Sequence, residues 1–170
     1  QEYLDFGLLG WAMSRFAGVA VGFKCVSETV ESAASVYIDP HRVNVTLPDI
    51  ELPEGGLSIR WPDDRFKEEE RLHRYKTYAA IAFARANGID RIVIDSPKPR
   101  LGIITTGKSY LDVMQALEDL GIDEKMAADI GLRVYKVGMP WPLEPEGARH
   151  FAEGLEEVLV VEEKRALIEN

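Results

Sequence analysis

Apolar positions along the chain follow two spacings, and the change from one to the other marks the elements. The run from Leu101 to Gly107 (Leu-Gly-Ile-Ile-Thr-Thr-Gly) is too short for a helix and passes through small residues straight into a helical pattern near Ser109. Run, glycine turn and helix together predict a strand and crossover helix of an α/β sheet. The same signal recurs at Leu132–Val137 and Glu157–Val161. Three strands linked this way are expected to lie parallel. Between them, Tyr110–Leu120 turns Tyr110, Val113, Met114 and Leu117 to one face, and Asp123 can cap a short helix with Ile130 inward. Pro145 suits the first position of a helix that buries Ala148, Phe151, Ala152 and Leu155. Arg91–Asp95 is a strand candidate at an edge, because the Ser96–Pro99 segment with its two prolines cannot continue a ladder.

Upstream, Leu4, Leu8, Trp11, Ala12 and Phe16 recur at helical spacing, and Gly18 ends that helix. A buried strand is expected at Val19–Phe23, and a short helix from Ser27 to Ser35 with Ser27 as cap and Val30, Ala33 and Ala34 inward. Arg42–Leu47 alternates as a half-exposed strand does. Proline and glycine then crowd the chain up to Pro62. Asp64 is placed to cap a long helix, Arg65–Ala86, with Leu72, Tyr75, Ala79, Ala82, Phe83 and Ala86 as its inward stripe. The pattern divides into 1–47, a linker at 48–63, and an α/β domain over 64–170. A helical pattern begins again at Glu162–Asn170, and both ends read as cuts through a larger protein.

Charge narrows the partners. A formal net charge of -9 argues against nucleic acid, whose phosphates need clustered lysine and arginine. Tyr75 and Tyr78 with Arg74 and Lys76 form a basic-aromatic patch, but it belongs to one continuous helix in an acidic chain and needs no nucleic acid to explain it. No stretch is apolar enough for a membrane span. The single cysteine, Cys25, permits no internal disulfide and no cysteine cluster, is expected to be buried and inert, and fits a cytoplasmic setting. His41, His73 and His150 have no metal-ligand spacing.

Candidate chemistry gathers in the loops after the parallel strands, where α/β sheets place ligands or partners. Thr106-Gly107-Lys108-Ser109 resembles the tail of a phosphate loop, but Ile103 stands where that loop needs glycine. A polar contact at the helix N-terminus and an ordinary strand–helix turn are the other readings. Met139 and Trp141 are apolar loop residues expected to cover something, a partner domain ahead of local core filling, with a small ligand last. Glu162 and Glu163 are adjacent, so they do not point the same way for paired catalysis. The expected polar or interface positions are Thr105, Thr106, Gly107, Lys108, Ser109, Met139, Trp141 and Glu162, with no catalytic residue and no metal ligand among them.

These residues carry a resemblance. The stretches Leu101–Val113, Val134–Gly147 and Phe151–Lys164 resemble the second domain of 2-oxoacid:ferredoxin oxidoreductases, above all the indolepyruvate ferredoxin oxidoreductase group. Leu4–Phe16 and Cys25–Ser35 are similar to the end of the thiamine pyrimidine domain of the same proteins. The resemblance implies a three-layer α/β/α sandwich like the transketolase C-terminal domain, around a mostly parallel sheet of about five strands. It implies a parent enzyme that oxidatively decarboxylates an aryl 2-oxoacid to its acyl-coenzyme A, with thiamine diphosphate, magnesium, iron–sulfur clusters and ferredoxin as acceptor. The chain itself lacks the aspartate–glycine diphosphate motif and the cluster cysteines. It is therefore expected to bind no cofactor and to serve as a structural and interface piece, its partners being the remaining domains or subunits. The alternative is a stand-alone interaction or regulatory domain.

Overall fold

The computed structural model describes residues 2–170, which form two compact units divided between Asn87 and Gly88. The division falls after Asn87, downstream of the proline- and glycine-rich stretch. The helices of 65–86 accordingly group with the N-terminal helix.

The second unit is an α/β domain. Its elements are β1 (Arg91–Ile94), β2 (Leu101–Thr106), α5 (Gly107–Asp119), α6 (Glu124–Ile130), β3 (Leu132–Val137), α7 (Pro145–Ala152) and β4 (Glu157–Val161), the five other helical segments lying in the first unit. The sheet order is β1-β3-β2-β4. β2 pairs in parallel with both β3 and β4, as the spacing predicts. The sheet is nonetheless mixed and four-stranded among the described residues, not a mostly parallel sheet of about five. β1 runs antiparallel to β3. The cause is the short link from Asp95 to Arg100: a parallel return needs a dozen or more residues, and two of these six are prolines without an amide donor.

Helices cover both faces. On one, Ile94, Ile103, Leu132 and Val134 pack with Val113 and Leu117 of α5 and Ala127 of α6. On the other, Ile104, Tyr135 and Val137 pack with Phe151 of α7, whose ring stacks on Tyr135 at 5.2 Å. β3 lies between β1 and β2 and is buried along its whole length, so its Arg133 must be paired. Arg133 Nε donates to Asp95 Oδ1 at 2.6 Å, and Nη1 donates to the carbonyls of Phe151 and Glu153 at 3.0 and 3.1 Å. Asp123 caps α6 and Glu144 caps α7, where Pro145 opens the helix. Ile130 is 49% exposed, contrary to expectation, because Ala127 fills the inward position of α6. Ala152 is likewise exposed, Phe151 carrying the buried face of α7. Glu162–Asn170 forms no helix: Lys164 adopts φ +70°, and the Glu162 carboxylate accepts from the amides of Leu167 and Ile168.

In the first unit, α1 (Glu2–Ala17) packs on α4 (Thr77–Ala86), with Phe16 5.9 Å from Phe83. α2 is limited to Ser27–Val30; Ser27 lies inside it and makes no cap bond, and Val30 is exposed. α3 (Arg65–Arg71) is capped by Asp64 as expected and runs through a π-helical turn, Leu72–Lys76, into α4. The wider turn shifts the helical phase, so Lys76 is buried against Glu68 while Leu72 and Tyr75 face out. Val19–Phe23 and Arg42–Leu47 form no strands. At Thr46 the backbone amide and carbonyl pair instead with the side-chain amide of Asn87, at 2.8 Å each. Without a strand beside it Cys25 is exposed, not buried. Gly18 takes φ +66°, where a Cβ would collide with the Leu57 carbonyl.

Candidate functional site

The register brings the carboxyl ends of the parallel strands to one edge of the sheet: Thr105 lies beside Lys136 and Val161, and Thr106 beside Val137. The loops beginning at Thr105, Val137 and Glu162 therefore start side by side. Their polar groups turn inward. The buried Thr105 hydroxyl donates to the carbonyl of Val161 at 2.9 Å, and the Thr106 hydroxyl donates to that of Val137 at 2.8 Å. Gly107 opens α5 with φ +56°, Ser109 is buried, and Lys108 Nζ donates to both Asp112 oxygens at 2.8 Å. Lys136, also buried, sets its ammonium 4.1 Å over the Tyr110 ring. Glu162 holds the C-terminal segment through the amides named above.

The loop after β3 presents apolar side chains outward, while Glu163, Lys164 and Arg165 are exposed after β4. Met139 is half-buried and Trp141 is 79% exposed. Both ends of the loop that carries them are fixed. Asp90, at the foot of β1, accepts from the amides of Gly138 and Met139 at 2.7 and 2.9 Å. Glu144 accepts from the amides of Glu146 and Gly147 at 3.0 and 2.6 Å. Burial raises the Asp90 pKa above the usual 3.8; the backbone amides of Met139, Gly138 and Glu144 oppose this, and the Glu144 charge adds to it. The Tyr135 phenol between them is also pushed up, first by burial and then by the charges of Asp90 and Glu144.

Asp90, Tyr135 and Glu144 were not among the expected positions. The pattern holds one faint signal for them. Glu144 directly precedes a proline that opens a helix, the place where a side-chain acceptor is wanted. Among the described residues, no three His, Cys, Asp or Glu side chains form a group that could hold a metal ion. The donors present also fit a diphosphate poorly, since the hydroxyls of Thr105 and Thr106 and the Lys108 ammonium already have partners. A cluster of iron and sulfur needs several thiolates, and the chain has one cysteine.

Residues 91–170 match the model of the indolepyruvate oxidoreductase domain. The chain is 38% identical over 77 residues to "Indolepyruvate oxidoreductase subunit IorA" of Pyrococcus abyssi, a match covering 45% of this chain and 11% of that protein. The subunit of the same name from Thermococcus kodakarensis is 36% identical over 70 residues, covering 41% of this chain and 10% of the relative. The matched stretch thus spans about a tenth of the length of these relatives. Among solved structures, a 2-oxoglutarate:ferredoxin oxidoreductase from Magnetococcus marinus is similar with a TM-score of 0.39 and 17% identity, over 71% of this chain and 20% of that one.

Proposed function

We propose, for a chain that belongs to the indolepyruvate and 2-oxoacid:ferredoxin oxidoreductase family, that its task is to hold parts of a larger enzyme together and not to carry out the chemistry. The parent protein oxidatively decarboxylates an aryl 2-oxoacid of the indolepyruvate kind to its acyl-coenzyme A. Thiamine diphosphate with magnesium supplies the carbanion chemistry there, iron–sulfur clusters carry the electrons, and ferredoxin accepts them in the cytoplasm. In this reading residues 64–170 are the transketolase C-terminal-like domain, residues 1–47 are the last elements of a thiamine pyrimidine-type domain, and 48–63 link them.

One observation carries the proposal. At the sheet end where α/β folds bind ligands, the threonine hydroxyls and Lys108 are engaged by this chain's own groups, and an exposed indole projects from the loop after β3. Exposed aromatic anchors of this kind suit a protein partner. The interface positions are accordingly Met139 and Trp141, with Thr105, Thr106, Gly107, Lys108, Ser109 and Glu162 shaping the loops beneath them. Isothermal calorimetry of the 170-residue chain with thiamine diphosphate and magnesium tests the division of labour. No binding heat is expected. Micromolar affinity would overturn the proposal.

A further inference from the structure

The π-helical turn at Leu72–Lys76 is held by side chains that take no part in the docking role. Lys76 is buried, and its ammonium pairs with Glu68, eight residues back. Arg71 Nη1 donates to Glu68 Oε2 and to Asp63 Oδ2 at 3.1 Å each, with its side chain only 13% exposed. The Thr77 amide and hydroxyl both donate to the Leu72 carbonyl, five residues back, where an α-helix would use His73. A turn of this kind inserts one residue into an α-helix and is frequent at functional sites.

Removing that insertion gives a second phase that the sequence also satisfies. Lys76 lies on the inner face of α4, with Ala79, Ala80 and Phe83. Counted back from Lys76 by α-helical spacing, the inner positions are Leu72 and Glu69. Through the π turn they are Arg71 and Glu68. Lys76 therefore has a carboxylate within reach in either phase, because Glu68 and Glu69 are adjacent. What the two phases exchange is Arg71 for Leu72, which is 40% exposed here. Burial of the leucine favours the α phase. The Arg71 pair with Asp63 opposes it, as an ion pair does when it specifies a register more than it adds stability.

We propose that residues 65–86 form a one-residue register switch, latched in the π phase by Arg71 on Asp63. Breaking the latch lets α3 slip into a continuous α-helix with Leu72 inward and Glu69 against Lys76. The slip turns α3 by about 100° and moves it about 1.5 Å along its axis, while α4 keeps its place on α1. Asp63 and Asp64 directly precede α3. Any displacement of the 48–63 segment that parts Asp63 from Arg71 therefore throws the switch. The device belongs to the first unit and stands whether or not the Trp141 loop meets a partner.

The test reads the exposure of position 72 in the 170-residue chain. Leu72→Cys is combined with Cys25→Ser, which removes the exposed native thiol. With Arg71 present, the new thiol should react readily with iodoacetamide. Adding Arg71→Ala should slow the reaction about tenfold, because the exposed phase then becomes a minor state of at most about 10%. An unchanged or faster rate with the helical circular dichroism intact would overturn the proposal. Asp63→Ala breaks the same latch from outside the helix and decides the matter should Arg71→Ala lose its helical signal. It should slow labelling in the same way, and failure to do so refutes the switch. A crystal structure of Asp63→Ala is the second measurement. The Thr77 amide moved to the His73 carbonyl supports the slip, and the amide still on Leu72 refutes it.

Discussion

Replacing Trp141 with serine distinguishes a surface that serves a partner from one that serves this fold. Trp141 is 79% exposed, so only about a fifth of the side chain is covered. A tryptophan offers roughly 250 Å² for burial. The covered part is then about 50 Å², which at roughly 25 cal/mol per Å² stabilises the chain by about 1 kcal/mol. Phe151 supplies the contrast at 2% exposure, stacked on Tyr135 and central to its cluster. Truncating such a phenylalanine to alanine costs about 3–5 kcal/mol. Urea unfolding of both variants should therefore give a small shift in midpoint for Trp141→Ser and a large one for Phe151→Ala, with similar m values. Introduced into the full-length protein, Trp141→Ser should impair assembly out of proportion to its effect on the chain alone. Comparable losses for the two variants would place the indole in the local core. Intact assembly of Trp141→Ser would remove it from any interface.

Asp90→Asn reports on the buried carboxyl through pH. Because burial raises the folded-state pKa above 3.8, the folded form binds the proton more tightly than the unfolded one. Its contribution to stability is complete at low pH and is lost as pH rises through the raised value. Measured from acid to neutral pH, the wild type should lose stability relative to the asparagine variant, and parallel curves would refute the assignment. Arg133→Lys should cost about 2–3 kcal/mol in chemical denaturation, from charge-assisted bonds to the Phe151 and Glu153 carbonyls that an ammonium cannot reproduce together. A loss below about 1 kcal/mol would show that these bonds are not holding α7.

The strands from Leu101 onward were legible because each carries its own signal: a short apolar run, a small residue, then a change of period. The same logic misled at α1, which is apolar on two sides. The spacing of Leu4, Leu8 and Trp11 is as helical as that of Leu9, Met13 and Ala17, yet Trp11 is 71% exposed and Met13 is 4% exposed. Only tertiary contact with α4 selects between the two stripes. The π-helical turn at Leu72–Lys76 broke a stripe that ran without interruption in the sequence, and it buried a lysine that no hydropathy pattern would place inside. Arg42–Leu47 alternates correctly for a strand but has no neighbour to pair with, and strand formation is a property of pairs. The loops at the sheet edge could be grouped from the sequence because parallel strands bring their ends together. The polar cluster beneath them was hidden, since Asp90, Tyr135 and Glu144 lie on separate elements and each looks like an ordinary residue flanking or within its own.

Topology also explains why this sheet end is closed. The chain leaves β2 for α5 on the face shared with Ile103, and leaves β3 for α7 on the face shared with Ile104. Neighbouring strands whose connections depart to opposite faces create the crevice in which open α/β sheets bind ligands. Here that crevice lies between the ends of β2 and β3. The Thr106 hydroxyl crosses it to the Val137 carbonyl, and on the other side of β2 the Thr105 hydroxyl crosses to Val161. Beyond β3, Asp90 draws in the amides of Gly138 and Met139 that would otherwise be available to an anion. A ligand would have to break these bonds before making its own, and each buried group left unpaired costs about 1–3 kcal/mol. An apolar partner resting on Trp141 breaks none of them. The same set of bonds that crosses the crevice also fixes the loop from which the indole projects.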